Sequence, residues 1–330
     1  MANTTPIIPH SLIFVYMNVL RDLNTLPLFK NAVITIGTFD GVHKGHKKIL
    51  AQLQQEAKLV HGETVVITFD PHPRKIVGDT SGVQLITTLE EKIELLEAEN
   101  IDNLVIVPFN EAFAKLTADE YVQDFLYKKF KPHTLIIGYD HHFGKERRGN
   151  YQLLEKFGEQ LGFKVKEINE QVLEESAISS TRVRKALLHG DIITTKALLG
   201  YNYFFEGTVI KGDQLGRTIG YPTANLQMID ESKLVMGDGV YAVTITNNMY
   251  QLKNLQGMMY IGSRPVVNGK RRVIEVNIFN FNEDIYGEKV RVYVKNYVRG
   301  DMNFNGLNAL KIQLAKDQIA CEKLLATADE

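Results

Sequence analysis

Short apolar runs rich in β-branched residues recur through the first half of the chain, and helical patterns lie between them. The runs are 33–36, 65–69, 104–107 and 135–137. One intervening helix is marked by a shared face of His46, Ile49, Leu50, Leu53 and Ala57, and a second helix is predicted over 90–99. Alternation of buried strands and helices predicts consecutive βα units, and therefore a doubly wound α/β domain with a parallel sheet.

The second half has a different pattern, which begins near residues 199–201. Five strands are predicted, at 207–210, 239–245, 258–261, 273–279 and 290–294, and Gly, Asn and Asp residues mark the turns between them. No helical pattern intervenes, so the strands predict an antiparallel sheet or a small closed barrel. One amphipathic helix over 307–325 ends the chain. Its apolar stripe, Leu307, Leu310, Leu314, Cys321 and Leu325, predicts a buried, inert thiol.

Composition narrows the class of protein. The chain has 330 residues, enough for two domains, and its 44% hydrophobic and 23% charged residues are typical of soluble globular proteins. With a net charge of -1, the composition does not indicate a nucleic acid as a partner. A single cysteine excludes an internal disulfide and indicates a reducing, cytoplasmic setting. Residues 11–20 lack the flanks of a signal peptide and are too few to span a membrane, so a strand or an ordered lead-in to the first domain is predicted there.

The first candidate site follows the first predicted strand, within residues 36–46. Gly37 ends the strand, Gly41 and Gly45 allow close approach of a bulky anion, and His43 and His46 open the next helix. Helix N-termini at such positions receive phosphate, and two imidazoles on one face can donate hydrogen bonds to its oxygens. The alternative is a pair of ordinary helix-start histidines; a metal site is weaker, because no third ligand has motif spacing.

Residues 178–184 form a second candidate cluster. The hydroxyls of Ser179, Ser180 and Thr181 precede the guanidiniums of Arg182 and Arg184, a combination that suits a triphosphate. The alternative is a plain helix N-cap at Ser179 or Ser180. Helix capping and triphosphate binding are compatible, since capped helix starts also bind anions.

A third cluster lies in the second half, between Gly212 and Asn225. Gly216 and Gly220 flank Arg217, and Thr223 and Asn225 follow. Their side-chain oxygens are hard ligands that suit Mg²⁺ shared with ATP phosphates. Glycine, proline and asparagine are also the normal residues of a turn, which is the alternative interpretation.

The first half resembles the adenylyltransferase module of bacterial bifunctional riboflavin kinase/FMN adenylyltransferases (FAD synthetases). The match is carried by 36–46, 68–73, 138–144 and 178–184. The resemblance implies a Rossmann-like nucleotidyltransferase domain, over 13–185, that transfers AMP from ATP to FMN and gives FAD and pyrophosphate. The residues that it implies for ATP are Gly37, Phe39, Asp40, Gly41, His43, His46, Ser179, Ser180, Thr181 and Arg182, with catalytic roles for both histidines, Arg182 and Arg184. Those that it implies for the flavin are Asp70, His72, Asp140 and Phe143.

The second half resembles riboflavin kinases, through 207–226, 239–243, 261–265 and 275–287. The resemblance implies a six-stranded antiparallel barrel with a C-terminal helix, over 186–330, that phosphorylates riboflavin with MgATP. It implies Glu275 as a general base that also contacts the flavin, whereas the residue alone could equally be a solvated carboxylate opposite Arg271 or Arg272. The other residues that it implies are Gly207, Gly212, Arg217, Thr223 and Asn225 for ATP, the last two for Mg²⁺, and Arg299 and Asp301 for the flavin.

The sequence departs from the riboflavin kinase pattern at several positions. They are Tyr260, Val266, Asn277, Asn280 and Asp301; Asn277 stands where the family frequently has a histidine. None of them removes Thr223, Asn225 or Glu275. The resemblance therefore implies a two-site enzyme that uses riboflavin, FMN and ATP, with neither nucleic-acid nor membrane partners. The alternatives are a single-activity FMN adenylyltransferase with a non-catalytic flavin-binding barrel, and a flavin sensor; the oligomeric state stays open.

Overall fold

The computed structural model describes residues 16–77, 83–138, 141–168, 178–247, 252–266 and 269–327. Its contacts divide the chain into two compact units. Among the described residues, the first unit contains 16–38, 49–77 and 93–168, and the second contains 39–48, 83–92 and 178–327. The second unit is therefore built from three separate segments of the sequence.

The first unit holds a parallel sheet of six strands in the order β1-β4-β3-β2-β5-β6. The strands are β1 (Asn18–Leu20), β2 (Val33–Ile36), β3 (Thr64–Asp70), β4 (Asn103–Pro108), β5 (Thr134–Gly138) and β6 (Lys164–Ile168). All neighbouring pairs are parallel, which confirms the predicted doubly wound α/β fold. The strand order reverses at β2, the kind of position where open α/β sheets bind ligands.

The two edge strands of this sheet left different signals in the sequence. Strand β1 has only three residues and lies within 11–20, where a strand or an ordered lead-in was predicted, whereas β6 was not predicted and is exposed along most of its length. The four central strands, by contrast, are almost entirely buried, because helices cover parallel sheets on both faces. Their apolar runs were therefore visible in the sequence, whereas β6 lacked such a run.

Three longer helices accompany the strands. Helix α1 (Lys44–Leu59) and α2 (Leu89–Glu97) correspond to the two predicted helices. Helix α3 (Tyr151–Leu161) begins at the N-cap Asn150 and ends at Gly162, which adopts the left-handed conformation that glycine tolerates. Shorter helical turns are Glu111–Ala114, Ala118–Glu120, Tyr121–Tyr127 and Lys128–Phe130.

The second unit contains a closed antiparallel barrel of six strands in the order β10-β11-β8-β7-β12-β9. The strands are β7 (Phe204–Ile210), β8 (Ala224–Met228), β9 (Gly239–Asn247), β10 (Leu252–Val266), β11 (Gly269–Ile278) and β12 (Lys289–Arg299). This confirms the barrel. Strand β8 was not predicted: its five residues alternate between apolar and polar, but only one of them is buried.

Two helices precede the barrel in sequence and belong to the same unit. They are α4 (Ser180–Leu188) and α5 (Ile192–Leu199). Val183 and Leu187 of α4 are fully buried in the barrel's hydrophobic core. Helix α4 thus runs across the predicted domain boundary between 185 and 186, and that boundary stays a prediction.

The C-terminal helix α6 (Leu307–Ala326) packs on the outside of the barrel. Cys321 and Leu325 join Val240, Ala242 and Met258 in one hydrophobic cluster. Burial raises the pKa of the Cys321 thiol to about 12, which confirms an inert thiol. Leu307 was wrongly placed in the same apolar stripe: it is 47% exposed at the helix start.

No helix within the described residues is long and apolar enough to cross a membrane.

Candidate active sites

The loop after β2 has an unusual backbone. Phe39, Gly41 and Val42 have φ angles of 47°, 85° and 34°. Glycine adopts positive φ at no steric cost, but a β-branched valine in that region is an outlier. Phe39 and Val42 are also buried. Such strained conformations persist only where surrounding contacts fix them, and they concentrate at functional sites.

Asp40 is the polar centre of this loop. Its buried carboxylate accepts the N–H groups of Ile86 (3.0 Å) and Thr87 (3.1 Å). It also forms an ion pair with Arg184, whose Nε donates to the Gln84 carbonyl at 3.0 Å. Asp40 and Arg184 therefore bind each other and the 84–87 segment. Their predicted roles toward ATP stay predictions.

His43 and His46 stack on each other immediately beside that loop. Their ring centroids lie 3.6 Å apart at an interplanar angle of 12°. His43 Nδ1 accepts the His46 backbone N–H at 3.3 Å, so His43 occupies the N-cap position of α1. Within the described residues, Nδ1 of His46 is buried and has no hydrogen-bond partner.

Burial sets the protonation of both histidines. Desolvation lowers the pKa of His43 from 6.5 to about 4, against an opposing effect of the Asp40 carboxylate. Desolvation, followed by the neighbouring His43, lowers the pKa of His46 well below 6.5. Both rings are therefore neutral at pH 7. Because Nδ1 of His43 is an acceptor, its proton is on Nε2.

Helix α4 begins beside the same loop. Ser179 Oγ accepts the Arg182 backbone N–H at 3.3 Å, which confirms the N-cap interpretation of this serine. Ser180 Oγ donates to the Asp40 carbonyl at 3.0 Å. Thr181 and Arg182 are exposed on the first turn. The cluster therefore both caps a helix and stabilises the loop, and contact with a triphosphate stays a prediction.

The site residues predicted in the first unit lie in different environments. The Gly37 N–H donates to the Ile67 carbonyl (3.0 Å), so it continues the sheet and is not free for phosphate. Asp70 is exposed at the end of β3. His72 Nδ1 caps a short helical turn by accepting the Arg74 N–H. Phe143 belongs to the hydrophobic core and stacks on Tyr121, with centroids 4.8 Å apart. Asp140 lies outside the described residues.

The barrel contains a cavity of about 600 Å³. Arg217, Pro222 and Thr223 line one part of its wall. The remaining lining residues are Val209, Gly220, Ala224, Val276, Ile278, Phe281, Asn282, Glu283, Asp284, Ile285 and Tyr286. The wall thus combines an apolar face with hydroxyl, guanidinium and carboxylate groups, as small-molecule sites usually do.

Glu275 lies next to this cavity and is only 7% exposed. Burial excludes the alternative of a solvated strand carboxylate. Its Oε2 is 3.5 Å from Thr223 Oγ1, and strand register places Glu275 directly opposite Asn225. Thr223, Asn225 and Glu275, which are separated by up to 52 residues in sequence, are therefore brought together.

Gly212 and Asn277 support this group. A Cβ on Gly212 would lie 2.3 Å from Nδ2 and 2.7 Å from Oδ1 of Asn225, so only glycine fits against that amide. Asn277 is buried and donates through Nδ2 to the Pro222 carbonyl at 2.7 Å. Sequence reasoning noted Asn277 only as a departure. Its donation to a residue beside Thr223 could not be foreseen from a pattern.

The other residues predicted for the barrel site are engaged elsewhere. Gly207 lies within β7 and pairs with β8 and β12. Arg299 forms a bidentate ion pair with the buried Asp317 of α6. Asp301 accepts a hydrogen bond from the Tyr260 hydroxyl at 3.1 Å. Arg299 is thus fixed by the C-terminal helix, and flavin contact by Arg299 and Asp301 stays a prediction.

Comparison with known proteins assigns both halves of the chain. Residues 27–182 match the family model described as FAD synthetase, and 199–325 match that described as riboflavin kinase. A bifunctional riboflavin kinase/FMN adenylyltransferase of Buchnera aphidicola subsp. Schizaphis graminum is 36% identical over 91% of this chain and 96% of its own length. The protein of that name from Escherichia coli K12 is 35% identical over 89% and 93%.

A solved structure from Streptococcus pneumoniae, described as a macrolide-efflux protein, also matches. It is 28% identical, with a TM-score of 0.81 over 93% of this chain and 99% of that one. The efflux description applies to that protein; the two family models and the curated relatives agree with each other. The chain therefore belongs to the family of bifunctional riboflavin kinase/FMN adenylyltransferases.

Proposed function

We propose that this chain performs both reactions of its family, at two separate groups of residues. It phosphorylates riboflavin with ATP to give FMN, and it adenylylates FMN with a second ATP to give FAD and pyrophosphate. The observation that supports two sites is the presence of two independent polar groups. One is the stacked His43–His46 pair, and the other is the group of Thr223, Asn225 and the buried Glu275 at the barrel cavity.

In adenylylation, a phosphate oxygen of FMN attacks the α-phosphorus of ATP, and the bond to pyrophosphate breaks. Negative charge grows on the leaving group, so oriented donors near it lower the barrier. Neutral His43 presents an Nε2–H, since its Nδ1 is held by the helix cap. The start of α1 adds the partial positive charge of a helix N-terminus. The histidines therefore donate hydrogen bonds and do not act as proton-transfer groups.

In phosphorylation, the terminal ribityl hydroxyl of riboflavin attacks the γ-phosphorus of ATP, and ADP leaves. Glu275 accepts the hydroxyl proton as a general base and forms no covalent bond to the substrate. Burial beside the cavity holds this carboxylate in place. Thr223 lines the cavity, and its Oγ1 lies 3.5 Å from Oε2 of Glu275.

The side chains of Thr223 and Asn225 also fit a magnesium ion shared with ATP. They provide hard oxygen atoms, and Gly212 keeps the Asn225 amide in one position. When bound, Mg²⁺ supplies positive charge that offsets the charge of the phosphates. Within the described residues, no cluster of three or more His, Cys, Asp or Glu side chains could hold a metal by itself. The fit is therefore to a metal shared with nucleotide phosphates.

The remaining site assignments follow the family pattern. We place Asp70, His72, Asp140, Phe143, Arg299 and Asp301 near the flavins, and Gly207 and Arg217 near ATP. We also place the enzyme in the cytoplasm, which a single buried cysteine supports.

The direct test supplies riboflavin, ATP and Mg²⁺ to the purified chain and separates the flavins by chromatography. FMN should appear first and FAD after it. FAD from supplied FMN, without FMN from riboflavin, would instead show an adenylyltransferase with a non-catalytic barrel. Neither product would indicate a flavin-binding protein without catalysis.

A further inference from the structure

The strained loop 39–42 is held by hydrogen bonds to two successive peptide units, Asp40–Gly41 and Gly41–Val42. The Gly41 N–H donates to Thr87 Oγ1 at 3.0 Å. The Gly41 carbonyl accepts a hydrogen bond from the Tyr201 hydroxyl at 2.7 Å. The Asp40 carbonyl accepts from Ser180 Oγ. These bonds fix the backbone between the two non-glycine residues with positive φ, and the conformation depends on them.

Tyr201 stands out because of its place in the sequence. The other two side-chain partners, Thr87 and Ser180, lie within the part that matches FAD synthetases, whereas Tyr201 lies within the part that matches riboflavin kinases. Its hydroxyl is 160 residues from Gly41 along the chain. Its ring packs against the barrel core, so the hydroxyl is presented from a rigid base.

Lys233 adds a second connection from the same half. Its Nζ donates to the Ile86 carbonyl at 2.7 Å and pairs with the Glu91 carboxylate. The backbone of Lys233 pairs with Leu85 in a parallel bridge. Residues 86 and 87 in turn bind the Asp40 carboxylate through their N–H groups. Lys233 therefore acts on the loop through the 85–87 segment.

This second connection uses a buried charge pair. The side chains of Lys233 and Glu91 are 2% and 4% exposed. Burial lowers the pKa of Lys233 and raises the pKa of Glu91, because desolvation disfavours each charged form. The charge of each partner opposes that shift in the other. Buried pairs are weak evidence for stability, and their best-attested use is to select one arrangement over others. An arrangement of 85–87 that holds Asp40 is consistent with that use.

We propose that Tyr201 and Lys233, two residues of the riboflavin kinase half, are positioning residues for FMN adenylylation. They hold loop 39–42 in the conformation that places His43 and His46 for the nucleotide phosphates. The inference rests on the proposed function of that histidine pair. It implies that the adenylyltransferase needs a part of the kinase half for its own chemistry.

Tyr201→Phe is the sharpest variant, because it removes one hydroxyl and keeps the packed ring. We expect kcat for FAD formation from FMN to fall roughly 3- to 10-fold, the effect of one hydrogen bond, with KM for ATP almost unchanged. Riboflavin phosphorylation by the same protein should keep its rate. Tyr241→Phe is the matched control: its hydroxyl also donates to a backbone carbonyl, that of Gly237, at 2.6 Å, which lies outside the loop. It should change neither rate.

A double-variant cycle distinguishes positioning from general stability. If Tyr201 acts through the histidine, Tyr201→Phe should have almost no further effect on kcat in a His43→Asn background. The variant pair Lys233→Met with Glu91→Gln removes both buried charges together, so neither is left unpaired. It should lower adenylylation at least as much as Tyr201→Phe and leave phosphorylation intact.

The outcomes separate the inference from the function on which it rests. A wild-type chain that forms no FAD from FMN overturns both. If wild type forms FAD, then unchanged adenylylation in Tyr201→Phe overturns the inference alone. So do equal losses in the two reactions, or effects of Tyr201→Phe and His43→Asn that simply multiply.

Discussion

The two ring nitrogens of His43 have different tasks, and two substitutions can separate them. Nδ1 caps α1 by accepting a hydrogen bond from the His46 N–H. Nε2 carries the N–H that we propose donates a hydrogen bond to a phosphate oxygen. His43→Asn keeps an acceptor near the Nδ1 position, since asparagine is among the best N-cap residues. His43→Gln instead carries an amide to the Nε2 position and loses the cap.

The expected magnitudes differ for the two variants. Loss of one oriented donor lowers a rate on the order of 10²–10³-fold. Loss of an N-cap lowers the free energy of unfolding by about 1 kcal/mol. His43→Asn should therefore lose adenylylation by that factor with nearly wild-type stability. His43→Gln should retain more activity and lose about 1 kcal/mol. Initial rates of FAD formation from FMN, and denaturant unfolding, measure the two effects.

The pKa of His43 adds a pH dependence with a definite sign. Desolvation lowers it from 6.5 to about 4, so the unfolded chain binds more protons between those two values. The stability that neutral His43 contributes is complete above pH 6.5 and is lost as pH falls through 4. At pH 5 the expected loss is about 2 kcal/mol. His43→Asn lacks this group, so its stability should fall less on acidification than that of wild type.

Three results would refute the reasoning. Wild-type FAD formation by His43→Asn would leave His43 as a capping residue alone. Equal losses of activity and stability in both variants would show that the two ring nitrogens do not have separate tasks. An ionisation near pH 6.5 that disappears from the rate profile of His43→Asn would show that this histidine is not neutral in the folded enzyme. Riboflavin phosphorylation is the internal control, and it should not change.

Four further predictions concern the barrel and the proposed metal. Glu275→Gln should slow riboflavin phosphorylation by about 10²–10⁴-fold and spare FAD formation from FMN; loss of both rates in a folded protein would contradict two sites. Excess EDTA should stop both reactions, because neutral oxygen ligands cannot offset triphosphate charge, and continued turnover would exclude the metal. Gly212→Ala should displace the Asn225 amide and lower phosphorylation about 10-fold or more, with adenylylation as the unaffected comparison rate. A fragment of 178–330 should fold and make FMN but not FAD, and it should exceed a fragment of 186–330 in unfolding free energy by about 2 kcal/mol, since the shorter one loses part of α4; equal stability of the two would contradict this.

The pattern of apolar residues predicted the buried elements well. The central strands of the parallel sheet and most barrel strands lie where short apolar runs occur, because burial on both faces leaves a visible signal. Strands β6 and β8 carry no such signal. Strand β6 lies on an edge and is mostly exposed. Strand β8 is short, and its Asn225 belongs to the candidate site and not to the hydrophobic core.

The candidate sites were predictable only in part. Motif order brought forward His43, His46, Thr223, Asn225 and Glu275, and the structure places them in two polar groups. Motif order could not show which residues, distant in sequence, each side chain contacts. Side chains that looked available for a ligand are committed to other residues, as Arg184 is to Asp40 and Arg299 to Asp317. Composition and spacing carry no information about such long-range pairs.

Asn277 shows how a departure from the family pattern can preserve a physical role. The riboflavin kinase pattern implied a frequent histidine at this position. In the structure, the Asn277 amide donates to the Pro222 carbonyl at 2.7 Å and so holds the residue that precedes Thr223. A neutral imidazole also carries one N–H donor, so either side chain can satisfy that carbonyl. What the site requires at 277 is therefore a buried donor. The substitution changes the residue type without removing the support of Thr223, the proposed metal ligand.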